Sequence, residues 1–390
     1  MVHRILSLDG GGAWALIEAT ALRDLFGDVP GREILSKFDL AVANSGGSIV
    51  LGGLIENMLP SEIIGLFDQQ SNRQAIFAKT SLIENLLSHI PIFPKYSTAG
   101  KLNGLTRVFG TIGAQPLSSF AGGGWVPGPN GQDVKVLIVA FDYGSSRAKF
   151  FRSYGTAHGA TADNVPLVQA VHASSDAPIE FFDAPTQWNN RRYWDGAMAG
   201  LNNPLLSGLV DLLGEGVAPS EVVALSLGTG TIKLAPAQAV PPAPKALSEP
   251  QTKPGVLNDL EKAGGCITDD PPDMATFAAH VMLSAARGQD PTVVGPVVRL
   301  SPVVRPILID GAWVVPPHLD AQQFQKLTET GMDAVEQDQV EVIAALAASW
   351  LADGARNQPI RMNSDDLSSS LGEEVYSAAK ARWFSPGMGA

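Results

Sequence analysis

Between Leu40 and Val50 the chain reads Leu-Ala-Val-Ala-Asn-Ser-Gly-Gly-Ser-Ile-Val. A short apolar run stops at small residues and one serine. Apolar residues then resume at Ile49, Val50, Leu51, Leu54 and Ile55. The first run predicts a buried strand and the second a buried helix. Ser45 therefore falls on a sharp strand-to-helix turn. Such a turn can serve as a nucleophile elbow, pushing a hydroxyl out of the backbone at the positive end of a helix. It equally suits a serine that merely caps a helix. Ala43 replaces the first glycine of the G-x-S-x-G pattern, so this stretch alone leaves both readings open.

A similar unit precedes it. Arg4–Leu8 predicts a strand, Asp9-Gly10-Gly11-Gly12 a turn, and Ala13–Phe26 a helix that stops at Gly27. Three glycines ahead of a helix expose backbone N–H groups that can cradle an anion. The anion is either a phosphate or the oxyanion of a tetrahedral intermediate. No Lys-Ser/Thr follows the glycines, and their spacing is not that of a dinucleotide fingerprint. Both facts disfavour a nucleotide.

Further along, Val134–Phe141 predicts a third strand, Lys149–Tyr154 an antiparallel return, and Pro166–Ser174 a helix whose continuation Pro178 blocks. Asp195 follows a short strand and precedes Gly196-Ala197; Asn202-Asn203-Pro204 then opens a helix over Leu205–Leu213. This aspartate is either an accessible functional carboxylate or an Asx-turn residue. Val222–Leu227 is a very apolar strand ending in Gly228-Thr229-Gly230. Helices are expected at 61–70, 81–88, 100–109, 274–286, 321–333 and 337–352, with late strands at 297–300 and 306–309. Residues 354–390 are weakly patterned and are expected to wrap the core or fray. Phe77, Ile92, Phe93 and Tyr96 line an apolar mouth or, as such residues more often do, join the core. The order of units predicts an α/β fold with a mainly parallel central sheet flanked by helices. Residues 1–235 are expected to form that core, 236–256 a Pro/Ala-rich linker or surface arm, and 257–390 a mostly helical extension packed on it.

Composition narrows the class. With 390 residues, 45% hydrophobic and 17% charged, the chain can build one large or two medium cores. Forty glycines and 28 prolines suit a loop-rich globular enzyme. A single cysteine, Cys266, excludes an internal disulfide and any multi-cysteine metal site. The net charge of -12 argues against nucleic acid and against standing attraction to anionic membranes. No apolar run approaches the roughly 18 residues of a transmembrane segment, and no basic-then-apolar leader opens the chain. A cytoplasmic location is therefore expected.

Taken in order, Asp9–Gly12, Phe38–Gly47, Ala173–Pro178 with Phe181-Phe182, Asp195–Ala197 with Asn202–Pro204, and Ser226–Gly230 resemble the patatin-like phospholipase family. The resemblance spans roughly residues 4–231. It implies a three-layer αβα core, Ser45 as nucleophile and Asp195 as its partner in a Ser-Asp dyad. It implies an oxyanion hole of the Gly10, Gly11 and Gly12 amides with that of Gly46. It also implies a lipid or acyl-ester substrate, transient contact with a membrane surface, and neither metal nor cofactor. Two departures stand out. Ala13-Trp14-Ala15 replaces the usual x-Arg-Gly after the glycines, removing a positive charge near the lip and offering Trp14 as an apolar contact. Ala43 puts a methyl group near the tight turn, which matters if φ there is positive.

Two rival readings stay open at this point. One is a Ser-His-Asp esterase using His280 or His318. The other is a lipid-binding or effector protein on the same scaffold with weakened catalysis.

Overall fold

The computed structural model describes residues 1–77, 94–178, 181–250, 253–255, 273–293 and 295–388. At its centre is an eight-stranded mixed sheet. Its strands are β1 (His3–Leu8), β2 (Leu40–Ala43), β3 (Lys135–Asp142), β4 (Arg147–Arg152), β5 (Thr186–Trp188), β6 (Arg191–Asp195), β7 (Val222–Leu227) and, after a short β8 (Thr231–Ile232) in a smaller sheet, β9 (Val297–Leu300). β3, β2, β1, β7 and β9 lie side by side in that order, all parallel. Every residue of β7 is fully buried, as a parallel strand covered on both faces requires.

Alternate residues of a strand point to opposite faces, and the two layers follow from that. Leu40 and Val42 of β2 pack with Leu205 and Leu209, on the helix Leu205–Gly214. Ala41 and Ala43 share the larger core with the helices Leu16–Phe26 and Ser45–Glu56. The result is a mostly parallel sheet between helical layers.

β3 brings the ends of β2 and β6 together. Its Leu137–Asp142 pairs with β4 along one edge. On the opposite edge it pairs with β2 up to Ile138↔Ala43 and then, from Ala140↔Asp195, with antiparallel β6. So β6 arrives along the edge that β2 vacates. The ends of β2 and β6 meet about two residues apart along β3, roughly 7 Å.

Several elements differ from expectation in instructive ways. The stretch after the glycines is a 3-10 turn, Gly12–Ala15, before the helix Leu16–Phe26 begins. Residues 354–390 hold a helix, Tyr376–Trp383, whose low amphipathicity hid it. Trp383 is fully buried and stacks on Phe38 at 5.8 Å; Tyr376 meets Trp350 at 4.6 Å. Ile307–Ile309 forms a hairpin with Ala312–Val314 outside the central sheet, whereas β9 joins it. Trp313 ties the Pro-rich arm down by donating to the Pro241 carbonyl at 2.9 Å. Phe77 and Tyr96 are buried edge to face, 5.5 Å apart. The helix expected at 81–88, Ile92, Phe93 and Cys266 lie outside the described residues.

Candidate active site

β2 ends at Ala43, and Asn44 is the extended N-cap of the helix Ser45–Glu56 (φ −129°, ψ 150°). Ser45 itself takes φ +48°. A serine in the left-handed region is strained and persists only where its surroundings over-determine it. Here its N–H donates to Ser174 Oγ at 3.0 Å, and its carbonyl accepts from Ser48 Oγ at 2.6 Å. The Gly47 N–H donates to the Asp9 carbonyl at 3.0 Å, and the Ser48 N–H to that of Asn44 at 3.1 Å. The positive φ thus falls on Ser45. Ala43 is an ordinary buried strand residue, so its methyl group carries no φ penalty.

Asp195 closes β6, with 3% of its surface exposed. Its Oδ1 accepts from the Ala197 N–H at 2.9 Å and from Asn44 Nδ2 at 3.1 Å. The Ser45 side chain lies beside the same carboxylate and favours its charged form. Its own N–H donates to the Asp176 carbonyl at 3.0 Å. Burial pushes the Asp195 carboxyl above its ordinary range. The Ala197 and Asn44 hydrogen bonds, the neighbouring Ser45 side chain and the Lys101 charge oppose that rise.

The glycine loop abuts Ser45 at distances that only glycine permits. A Cβ on Gly10 would lie 3.0 Å from Ser45 Cβ and 2.1 Å from Asn202 Oδ1. A Cβ on Gly46 would lie 2.6 Å from the Gly12 carbonyl oxygen and 2.9 Å from the Gly12 nitrogen. The Gly10 N–H is committed to the Asn202 carbonyl at 2.8 Å and so anchors the loop. Gly12 takes φ +57°, and beyond it the Ala13 N–H donates to the Met332 carbonyl at 2.8 Å. Trp14 Nε1 donates to the Gly331 carbonyl at 3.0 Å, and its side chain is buried. In place of the family's arginine, Trp14 therefore fastens a C-terminal segment to the loop.

Beneath the loop, Arg299 pairs with Asp9 at 2.7 Å, and the Asp9 N–H donates to Glu18 Oε1 at 2.6 Å. Burial raises Asp9 to about 6 despite Arg299, and raises Glu18 well above the ordinary range. A cleft of about 330 Å³ opens beside Gly10 and Gly11, walled by Asp9, Arg299, Lys233 and Asp273.

Ser45, Asp195 and the glycines thus converge on one rim of the sheet. His280 does not join them by any contact to Asp195; its Nε2 sits 3.0 Å from the Pro291 carbonyl and its ring lies against Gly295. Among the described residues no group of three or more His, Cys, Asp or Glu is arranged to hold a metal ion, and no helix is long and apolar enough to cross a membrane. Sequence reasoning passed over Asn44, Ser174 and Lys101. Lys101 left a trace, since it interrupts the inward stripe Gly104, Leu105 and Phe109 of its helix with a charge.

A mostly parallel sheet thus carries a strand–serine–helix turn, a glycine loop and a buried aspartate at one rim. The family model of patatin-like phospholipases matches residues 6–209, and the chain belongs to that family. No curated protein sequence gives a match. Among solved structures, VipD from Legionella pneumophila is similar with a TM-score of 0.37 at 10% identity, over 89% of this chain and 67% of that one. A complex of full-length SpcU with full-length ExoU from the Pseudomonas aeruginosa type III secretion system gives 0.30 at 11% identity, over 74% and 59%. A second ExoU–SpcU complex gives 0.26 at 12% identity, over 74% and 57%.

Proposed function

We propose that the protein hydrolyses carboxylic esters of lipids through an acyl-serine intermediate on Ser45, with Asp195 as general base. The observation that carries this reading is Ser45, held at φ +48° at the head of its helix, with its side chain beside the buried Asp195 carboxylate and the glycine loop. Asp195 takes the Ser45 proton as Oγ bonds to the ester carbonyl carbon. The oxyanion is held by backbone N–H groups. Gly10 supports the loop through Asn202, so the donors assigned to the oxyanion are Gly11, Gly12 and Gly46. The Ser45, Gly47 and Ser48 amides that flank Gly46 are occupied, which favours Gly46 as the free end of the helix. The tetrahedral adduct collapses, the alcohol leaves with the proton from Asp195, and water repeats the sequence on the acyl-enzyme. Each oxyanion donor is worth about 3 kcal/mol in such chemistry. A carboxylate is an ordinarily weak base for serine, and the burial of Asp195 strengthens it.

The chain itself supplies nucleophile, base and oxyanion donors, so chelators are expected to leave the rate unchanged. The test is a panel of phospholipids, lysolipids and simple acyl esters, run on wild type, Ser45→Ala and Asp195→Ala, with and without chelator. Hydrolysis lost in both variants and indifferent to chelator supports the reading. A wild type that binds vesicles without hydrolysing any ester supports a lipid-binding role. Unchanged turnover in Asp195→Ala with loss in a His280 or His318 variant supports a Ser-His-Asp esterase.

A further inference from the structure

Lys101 is a cation buried behind the site, with 1% of its side chain exposed. It projects from the helix Thr98–Gly113, on a face otherwise made of Gly104, Leu105 and Phe109. Its ammonium group donates to the Ser175 carbonyl and stands 4.1 Å from the centre of the Phe182 ring. Among the described residues it pairs with Asp176, whose Oδ1 is 3.9 Å away and makes no hydrogen bond. Burying an ammonium costs several kcal/mol unless it is paired and hydrogen-bonded.

The turn that Lys101 grips is also the turn that holds Asp195. The Asp176 carbonyl accepts the Asp195 N–H at 3.0 Å, and Ser174, one residue before the gripped carbonyl, accepts the Ser45 N–H. The other groups around this point are accounted for. Thr186 Oγ1 donates to Asp176 Oδ2 at 3.0 Å and meets His172 Nδ1 at 3.1 Å. His172 Nε2 lies 4.0 Å from Asp176 Oδ1. Burial and the Lys101 charge push His172 down to about 3, so it is neutral. Asp183 accepts the Thr98 N–H at 2.9 Å and its charge acts on Asp176, whose carboxyl burial raises. The Lys101 charge acts on Asp195.

We propose that Lys101 is a positioning residue for the Ser45–Asp195 pair: it holds the Ser175–Asp176 turn against the Asp195 N–H and places its ammonium charge behind that carboxylate. The inference rests on the reading of Ser45 and Asp195 given above. A neutral Asp195 cannot take the serine proton, so the field of Lys101 sets the pH range in which the pair works.

The test is the rate at which a fluorophosphonate labels Ser45 between pH 5 and 9. In that reaction the Oγ–P bond forms, the P–F bond breaks, fluoride leaves and the serine proton passes to Asp195. Wild type, Lys101→Met and the double variant Lys101→Met/Asp176→Asn are compared, each with its thermal melt. In Lys101→Met the acid limb is expected to move up by about one pH unit, the low end of the shift a nearby opposite charge produces. Labelling at pH values below the wild-type limb falls about tenfold, and the rates converge above the limb. The double variant removes both members of the buried pair, folds without an orphaned charge, and keeps the shifted limb. An unmoved limb in Lys101→Met, an equal loss of rate at every pH, or a return of the double variant to the wild-type limb would overturn the proposal. A wild type not labelled at Ser45 would instead overturn the underlying reading of the pair.

Discussion

Asn44 Nδ2 donates to Asp195 Oδ1 across 3.1 Å, joining the residue just before Ser45 to the residue that closes β6. Its Oδ1 also accepts from Ser174 Oγ at 3.4 Å, and that hydroxyl in turn holds the Ser45 N–H. One short amide thereby fixes both halves of the site. In Asn44→Leu the carboxylate loses a donor worth about 1.5–3 kcal/mol when the acceptor is charged. We expect kcat/KM to fall about 10- to 100-fold and the acid limb of its pH profile to move upward. Ester hydrolysis followed across pH checks both.

Wild-type activity is expected to fade on the acid side at an unusually high pH. Asp195 works as its anion, and burial raises its carboxyl above the ordinary range. Raising the pKa of a required base means that activity is lost earlier as pH falls. The limb in kcat/KM should therefore lie above the ordinary aspartate value of about 3.9. A limb at or below that value would remove Asp195 as the base.

Gly46→Ala tests the assigned oxyanion donors. Its Cβ would stand 2.6 Å from the Gly12 carbonyl oxygen and 2.9 Å from Ala15 Cβ, so the glycine loop must move away from the helix end. We expect turnover to drop about 10²- to 10³-fold, the range for losing one oxyanion donor. Turnover within a few-fold of wild type would contradict the assignment.

Arg299 carries the loop's stability. It pairs with Asp9 at 2.7 Å and donates to Ser226 Oγ at 2.8 Å, beneath two buried acids. Arg299→Met leaves Asp9 and Glu18 without their cation, at an expected cost of about 3–5 kcal/mol. The sign with pH follows from Asp9, already raised to about 6 in the folded chain. Below that value the carboxyl is protonated and needs its partner less. Thermal melts should show a larger deficit at pH 8 than at pH 5.

How much of the fold and site was legible in the sequence depends on how local each feature is. The strand–glycine–helix units around Gly10–Gly12 and Ser45 are written in adjacent residues, and the continuous apolar run Leu40–Ala43 marks a strand covered on both faces. Asp195 came from the ordered resemblance, since no local signal ties it to Ser45 across 150 residues of chain. The partners that hold these groups were hidden because they are tertiary. Lys101, Ser174 and Arg299 look like ordinary helix and strand residues until the sheet order brings them together. Trp14 reads as a free apolar lip, yet the carbonyl of Gly331 claims its indole. Ala43 drew suspicion that belonged to Ser45, because φ is a property of the turn and not of the motif.

The central claim is that the hydroxyl of Ser45 is the group that attacks, with Asp195 taking its proton. Mass spectrometry of the protein after fluorophosphonate treatment tests it most directly. The account predicts one phosphonyl adduct on the peptide carrying Ser45, none in Ser45→Ala, and labelling slowed about 10²- to 10⁴-fold in Asp195→Asn. An adduct on another residue, or equal labelling in Asp195→Asn, would contradict it.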